Sequence, residues 1–156
     1  MDALLNAIAE TGIEAQALRA GEVGAIPQAP GAYALLMHFV RPLDIRLNKK
    51  EPVRLPSGWL VYAGSAKGPG GLRARLARHL RAEKRPHWHV DQLTVRADEI
   101  LALPVADGNE CEIVATLLGH PAFSVAVAGF GNTDCAICDS RLLRFRGASG
   151  TITWSV

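Results

Sequence analysis

The chain predicts a single-domain α+β fold, and three observations carry that expectation. Its 156 residues are close to the commonest size of one domain. Short, mostly apolar runs bounded by glycine and proline recur as strands. Two further segments place apolar residues at helical spacing behind a turn or a capping residue. Hydrophobic residues make up 49% and charged residues 21%, ordinary globular usage that excludes a disordered or fibrous chain. No apolar run approaches the length of a bilayer span, and Asp2 is out of place in a basic secretory leader. The expected protein is therefore soluble, cytoplasmic and without a membrane partner. Cys111, Cys135 and Cys138 are an odd set with one close pair, which makes no disulfide framework and fits a reducing compartment.

In chain order, Leu4, Leu5 and Ile8 fall at helical spacing and Gly12 can end that helix. Residues 1–26 are expected to be a helical N-terminal extension, and residues 27–156 the domain proper. Gln28-Ala29-Pro30-Gly31 is a turn, after which residues 33–40 read as a buried strand. Residues 43–47 alternate as a second strand, with Asn48-Lys49-Lys50 as its turn. Pro56-Ser57-Gly58 opens another strand over residues 59–63. Antiparallel pairing would set Gly31-Ala32-Tyr33 beside Tyr62-Ala63-Gly64.

Gly68-Pro69-Gly70-Gly71 stops that strand and starts a helix running to about residue 83. Leu72, Leu76 and Leu80 form its core stripe, Arg75 and His79 lie together at the stripe's edge, and Arg73, Arg78 and Arg81 point further out. Residues 100–105 read as a strand. Asp107-Gly108-Asn109 caps a helix from residue 110 to about 118, ended by Gly119 and Pro121. Gly129-Phe130-Gly131-Asn132 is a loop leading to the cysteine pair, and residues 142–145 and 151–156 read as a final hairpin.

Charge is unevenly spread. Residues 41–85 carry twelve Lys and Arg against three acids, a net +9, while the remainder carries five against twelve, a net −7. Such a block inside a near-neutral chain points to a localised polyanion site. Arginine outnumbers lysine thirteen to four, which suits bidentate phosphate contacts and equally suits a GC-rich genome.

Several clusters admit more than one reading. Tyr33 and Tyr62 are the only tyrosines, each close to a glycine that permits close backbone approach. They are either core aromatics of two strands or hydroxyls facing a phosphate. A phenol titrates near 10, so a catalytic role requires positive charge beside it, and Arg75 can supply that. The glycine-rich turn lacks the Gly-Lys-Ser/Thr of a Walker loop, yet could aim helix N–H groups at an anion. His87, His89 and Asp91 share one face if their segment is extended, as metal ligands, structural groups or substrate contacts. Cys135 and Cys138 have CxxC spacing but form one pair where a structural zinc needs four ligands.

The ordered series Gly31-Ala32-Tyr33, Tyr62-Ala63-Gly64-Ser65-Ala66, Gly68-Pro69-Gly70-Gly71-Leu72, Arg75 with Arg78-His79, His87-Trp88-His89-Val90-Asp91, Glu110-Cys111-Glu112, Phe130-Gly131 and Asp134-Cys135 resembles the GIY-YIG nucleases. Within them it is most similar to the prokaryotic branch known as Uri-type endonucleases, over about residues 31–145. The resemblance implies a small, mainly antiparallel sheet flanked by helices. It implies that Tyr33 activates a water with Tyr62 supporting it, that Arg75 binds the scissile phosphate, and that His79 assists. It also implies a glutamate holding one Mg2+ or Mn2+. Glu110 is followed by Ile113 and Val114 as in the family helix, and is the expected ligand. Glu112 is the alternative, although it stands where a capping box with Asn109 would use it. The chain departs from the family at Ala32 and Ala63, which replace isoleucines, and at Arg141, which replaces an expected histidine; Asn132 is a loose match to a late asparagine.

The expected function is metal-dependent hydrolysis of nucleic-acid phosphodiester bonds, DNA in the first place. Lys67, Arg73, Arg78, Arg81, His87 and His89 are the expected nucleic-acid contacts, with a protein partner to supply specificity. The alternatives are a non-catalytic nucleic-acid-binding module built on residues 41–85, and a metal or redox sensor around His87, His89 and the CxxC pair.

Overall fold

The apolar run at residues 31–39 becomes the central strand of a sheet because both of its faces are covered. The computed structural model describes residues 1–47, 51–86, 88–131 and 138–147. In it, β1 (Gly31–Phe39) pairs antiparallel with β4 (Gly58–Ala66) on one side and with β5 (Glu99–Ala106) on the other. β7 (Leu142–Phe145) continues the sheet beyond β4, and β6 (Phe123–Val125) closes that edge, giving the antiparallel order β5-β1-β4-β7-β6. A separate hairpin, β2 (Leu43–Ile45) with β3 (Val53–Leu55), bridges β1 and β4 in sequence. The expected Asn48-Lys49-Lys50 turn lies outside the described residues. The fold is α+β, as expected, with helices on both faces of the sheet.

The two-residue period of β1 divides the core. Tyr33, Leu35, Met37 and Phe39 share one cluster with Leu72, Leu76 and Leu80 of α2 (Gly71–Leu80) and with Leu93 of the short α3 (Asp91–Thr94). Ala32, Ala34 and Leu36 pack on the opposite face with Ile113, Val114 and Leu117 of α4 (Glu110–Leu118). Leu4, Ala7 and Ile8 of α1 (Asp2–Glu10) belong to this second cluster. Leu18 exchanges two 2.8 Å backbone hydrogen bonds with Ala102 at the β5 edge. Residues 1–26, expected as a helical extension, pack on the domain: Leu4, Ala7 and Ile8 lie on one face of the sheet and Leu18 and Ile26 in the cluster on the other.

The helix expected to reach residue 83 ends at Leu80, where Arg81 turns extended (φ −69°, ψ 133°). Lys84 folds back to donate to the carbonyls of Arg78, His79 and Arg81, supplying at the helix C-terminus the donors that further turns would have provided. The expected hairpin of residues 142–145 with 151–156 falls only half within the described residues. Both edges of β7 are taken, by β4 and β6; residues 151–156 lie outside the described residues. β6 is only three residues long, too short to leave an alternation in the sequence.

Candidate active site

Tyr33 and Tyr62 come to the same place because β1 and β4 pair in a register that sets Tyr33 opposite Gly64 and Leu35 opposite Tyr62. The Tyr33 ring crosses Gly64 so closely that a Cβ there would overlap its hydroxyl and ring carbons. Glycine is thus the residue that lets the phenol reach the helix. His79 projects from α2 with its Nε2 2.8 Å from the Tyr33 hydroxyl. Arg75, one turn earlier on that helix, joins them in lining a cavity of about 320 Å3 with Tyr62, Ser65, Trp88, His89, Val90, Gly131 and Arg141.

Tyr33 and His79 are buried and Tyr62 is half-buried, and their acidity follows from that. Burial holds the Tyr33 phenol far above its ordinary range; Tyr62 adds to this, while the Arg75 guanidinium pulls the other way by charge and hydrogen bonding. Tyr62 is raised as well, chiefly by burial, with Arg141 and Arg75 opposing. Burial drives the His79 imidazole down to about 3, with Lys84 adding repulsion and Asp91 resisting. At neutral pH the 2.8 Å contact therefore joins a protonated phenol to a neutral imidazole. The second imidazole nitrogen, Nδ1, is buried with no hydrogen-bond partner among the described residues.

This buried histidine should leave a signature in stability. An unfolded chain protonates His79 as pH falls through about 6.5, whereas the folded chain resists until about 3, so the folded state loses ground across that interval. The loss is on the order of 3 to 5 kcal/mol. Urea unfolding of the wild type and His79→Gln between pH 7.5 and 4 should give a stability difference that shrinks as the pH falls. A constant difference would mean that His79 is not held neutral.

Trp88 organises the arginines. The guanidiniums of Arg75 and Arg78 lie 4.5 and 4.4 Å from its ring centroid. Arg78 is further clamped by the fully buried Asp91 through two hydrogen bonds of 3.0 and 2.9 Å, and Asp91 also accepts the Trp88 N–H at 2.8 Å. Arg78 is thus turned onto Asp91 instead of pointing outward. Its charge is neutralised inside a scaffold that holds Trp88, and through it Arg75. Asp91 likewise does not share an extended face with His89: Val90 is helical (φ −64°, ψ −21°), and the carboxylate is turned onto Arg78. His89 lines the cavity; His87 lies outside the described residues.

The glycine-rich turn is corrected too. The first amides of α2 are consumed by protein carbonyls: Gly71 by Gly68, Leu72 by Ala29, Arg73 by Pro27 and Ala74 by Gly70. Gly71 packs so tightly on residues 28–29 that a Cβ would overlap their carbonyl oxygens. The helix start is anchored on the turn that precedes β1, and its amides are already taken. Arg73 reinforces it through a 2.7 Å bond from Nε to the Ile26 carbonyl. Among the other expected contacts, Lys67 and Arg81 are exposed.

Asn109 caps α4 as expected, its side chain accepting from the N–H groups of Cys111 and Glu112. Glu112 then faces solvent, whereas Glu110 is buried. Glu110 Oε1 accepts a 3.2 Å hydrogen bond from Arg141, and its Oε2 is buried without a partner among the described residues. Among those residues no three His, Cys, Asp or Glu side chains converge as metal ligands. A single buried carboxylate oxygen can still be one ligand of a hard cation whose other ligands are waters and substrate oxygens. Arg141 is the cavity residue that the sequence motifs do not mark as functional. Its one visible signal is its departure from the expected histidine.

A family model described as a domain of unknown function, DUF123, matches residues 32–153. The chain belongs to the DUF123 family. No curated protein and no solved structure matches it. The match spans the strands, α2 and α4, so every cavity residue named above lies within the DUF123 domain. Among the described residues no helix of this DUF123 protein is long and apolar enough to cross a membrane.

Proposed function

We propose that this DUF123 protein is an endonuclease of the GIY-YIG type, hydrolysing nucleic-acid phosphodiester bonds at the Tyr33–Arg75 cavity. The observation that supports this reading is the convergence of Tyr33, Tyr62, Arg75 and His79 on one cavity, with the Tyr33 hydroxyl 2.8 Å from His79 Nε2. That grouping supplies a proton acceptor and a guanidinium for the charge that builds on a phosphate in flight.

Arg75, backed by Trp88, binds the scissile phosphate and meets its developing negative charge. Tyr33 orients the attacking water and, once ionised, takes its proton, while the neutral His79 Nε2 holds the phenol in place. Tyr62 steadies the same water from the neighbouring strand. Because burial keeps Tyr33 protonated in the free protein, this transfer needs additional positive charge near the phenol. Glu110 is the residue that would hold a magnesium or manganese ion, which supplies Lewis-acid charge at the phosphate when bound.

A second reading, a non-catalytic nucleic-acid-binding module, is favoured by one feature: Arg141 already occupies one oxygen of Glu110. The two separate when plasmid, forked DNA and structured RNA are incubated with the protein, with and without manganese. Metal-dependent cuts support the nuclease; salt-sensitive binding without cuts supports the module. DNA is our preferred substrate, the cytoplasm our preferred setting, and sequence specificity is left to a protein partner, because phosphate contacts alone carry no sequence information.

The exposed Lys67 and Arg81 are the phosphate contacts this reading retains from the basic segment. Changing both to glutamine should reduce the log–log salt dependence of binding by roughly one for each phosphate that is no longer neutralised. Arg78→Gln should instead lower stability, since it strands the buried Asp91. An unchanged salt slope in the double variant would move the interface off this face.

A further inference from the structure

We propose that Cys111 and Cys138 form a reversible disulfide that fastens the segment carrying Arg141 to the start of α4. Their sulfurs are 2.8 Å apart and both side chains are half-buried, within reach of a small oxidant. That separation is far inside the spacing of packed side chains and a short step from an S–S bond of about 2.05 Å. The partners are 27 positions apart in sequence, so the contact is made by the fold and not by local spacing.

The location gives the bond a consequence. Cys111 directly follows Glu110, and Cys138 lies three residues before Arg141, so the sulfur pair brackets the 3.2 Å Glu110–Arg141 contact. Backbone bonds that hold residues 138–141 among the described residues include Gly129–Asp139, Arg141–Phe130 and the one from Ala63 N–H to the Arg141 carbonyl. A covalent tie would hold Arg141 on the carboxylate as well. On the nuclease reading, oxidation thereby keeps Glu110 from a metal and reduction releases it; the disulfide itself does not depend on that reading.

The reaction needs a low-molecular-weight disulfide as oxidant. One cysteine sulfur attacks it and releases one small thiol; the second cysteine sulfur then attacks the mixed disulfide and releases the other. Two protein thiols become one disulfide, the oxidant is reduced to two thiols, and the two protons leave with them. Reversible, functional disulfides of this kind are the sort found in reducing compartments.

The test is to equilibrate the full chain in mixtures of reduced and oxidised glutathione, alkylate the remaining thiols, digest it and map linked peptides by mass spectrometry. The expected result is a Cys111–Cys138 link in the oxidising mixtures that disappears with dithiothreitol and persists in Cys135→Ser. Amide exchange over residues 138–147 should slow several-fold in the oxidised form. A predominant Cys135–Cys138 link, three alkylated cysteines in every mixture, or stoichiometric zinc shielding the thiols would each overturn the proposal. None of these readouts requires nuclease activity, so failure of the disulfide and failure of the nuclease reading are separately visible.

Discussion

Arg75→Ala should lose about 10²- to 10³-fold in cleavage rate while remaining folded, and Leu76→Ala should do the reverse. The two side chains are neighbours on α2, yet they face different things. The Arg75 guanidinium lines the cavity and rests on Trp88, so on the proposed mechanism its removal deletes the donor for the charge that builds on phosphate. Effects of that size are typical when one such donor is taken from a preorganised site. Leu76 is completely buried among the residues of β1 and α2. Cutting it to alanine leaves a cavity and should cost about 2 to 5 kcal/mol. Chemical unfolding and single-turnover cleavage on both variants separate the effects. An Arg75→Ala protein that is unfolded, or that cleaves normally, would remove Arg75 from the catalytic machinery.

The second large effect is expected at Glu110. Glu110→Gln should leave no cleavage at any manganese concentration. Glu112→Gln should keep wild-type activity and shift stability by only about 0.5 kcal/mol, because that side chain is exposed and the cap is made by Asn109. Glutamine at 110 can still accept from Arg141, which limits the structural damage and makes loss of activity interpretable. A manganese titration of cleavage is the measurement. If Glu112→Gln is the inactive variant, the ligand is on the exposed side of α4. If both remain active, a single-metal mechanism at this helix is wrong.

The parts of this site that are legible in the sequence are those set by local periodicity. Long apolar runs between glycine and proline turns locate β1 and β4, and their pairing places Tyr33 beside the second tyrosine motif. The four-residue spacing of Arg75 and His79 puts both on one edge of α2. What stays hidden depends on contacts between distant segments. Arg78 reads as an outer-face residue until α3 turns Asp91 onto it, and nothing in the spacing of residues 78 and 91 announces an ion pair. Arg141 enters the cavity only because β7 lies against β4. Cys111, flanked by two glutamates of its own helix, finds its sulfur partner 27 residues away. Residues 1–26 read as an appendage because a single short amphipathic helix carries no sign of which sheet face it will cover.

The most direct test of the central claim is a Tyr33→Phe substitution assayed on whichever nucleic acid the wild type cuts, with manganese present. Phenylalanine keeps the ring that crosses Gly64 and removes only the hydroxyl bonded to His79. The expected result is a folded protein that binds the substrate with wild-type affinity and cleaves it about 10²- to 10⁴-fold more slowly, the usual contribution of a positioned proton acceptor. Cleavage at the wild-type rate by folded Tyr33→Phe would contradict it.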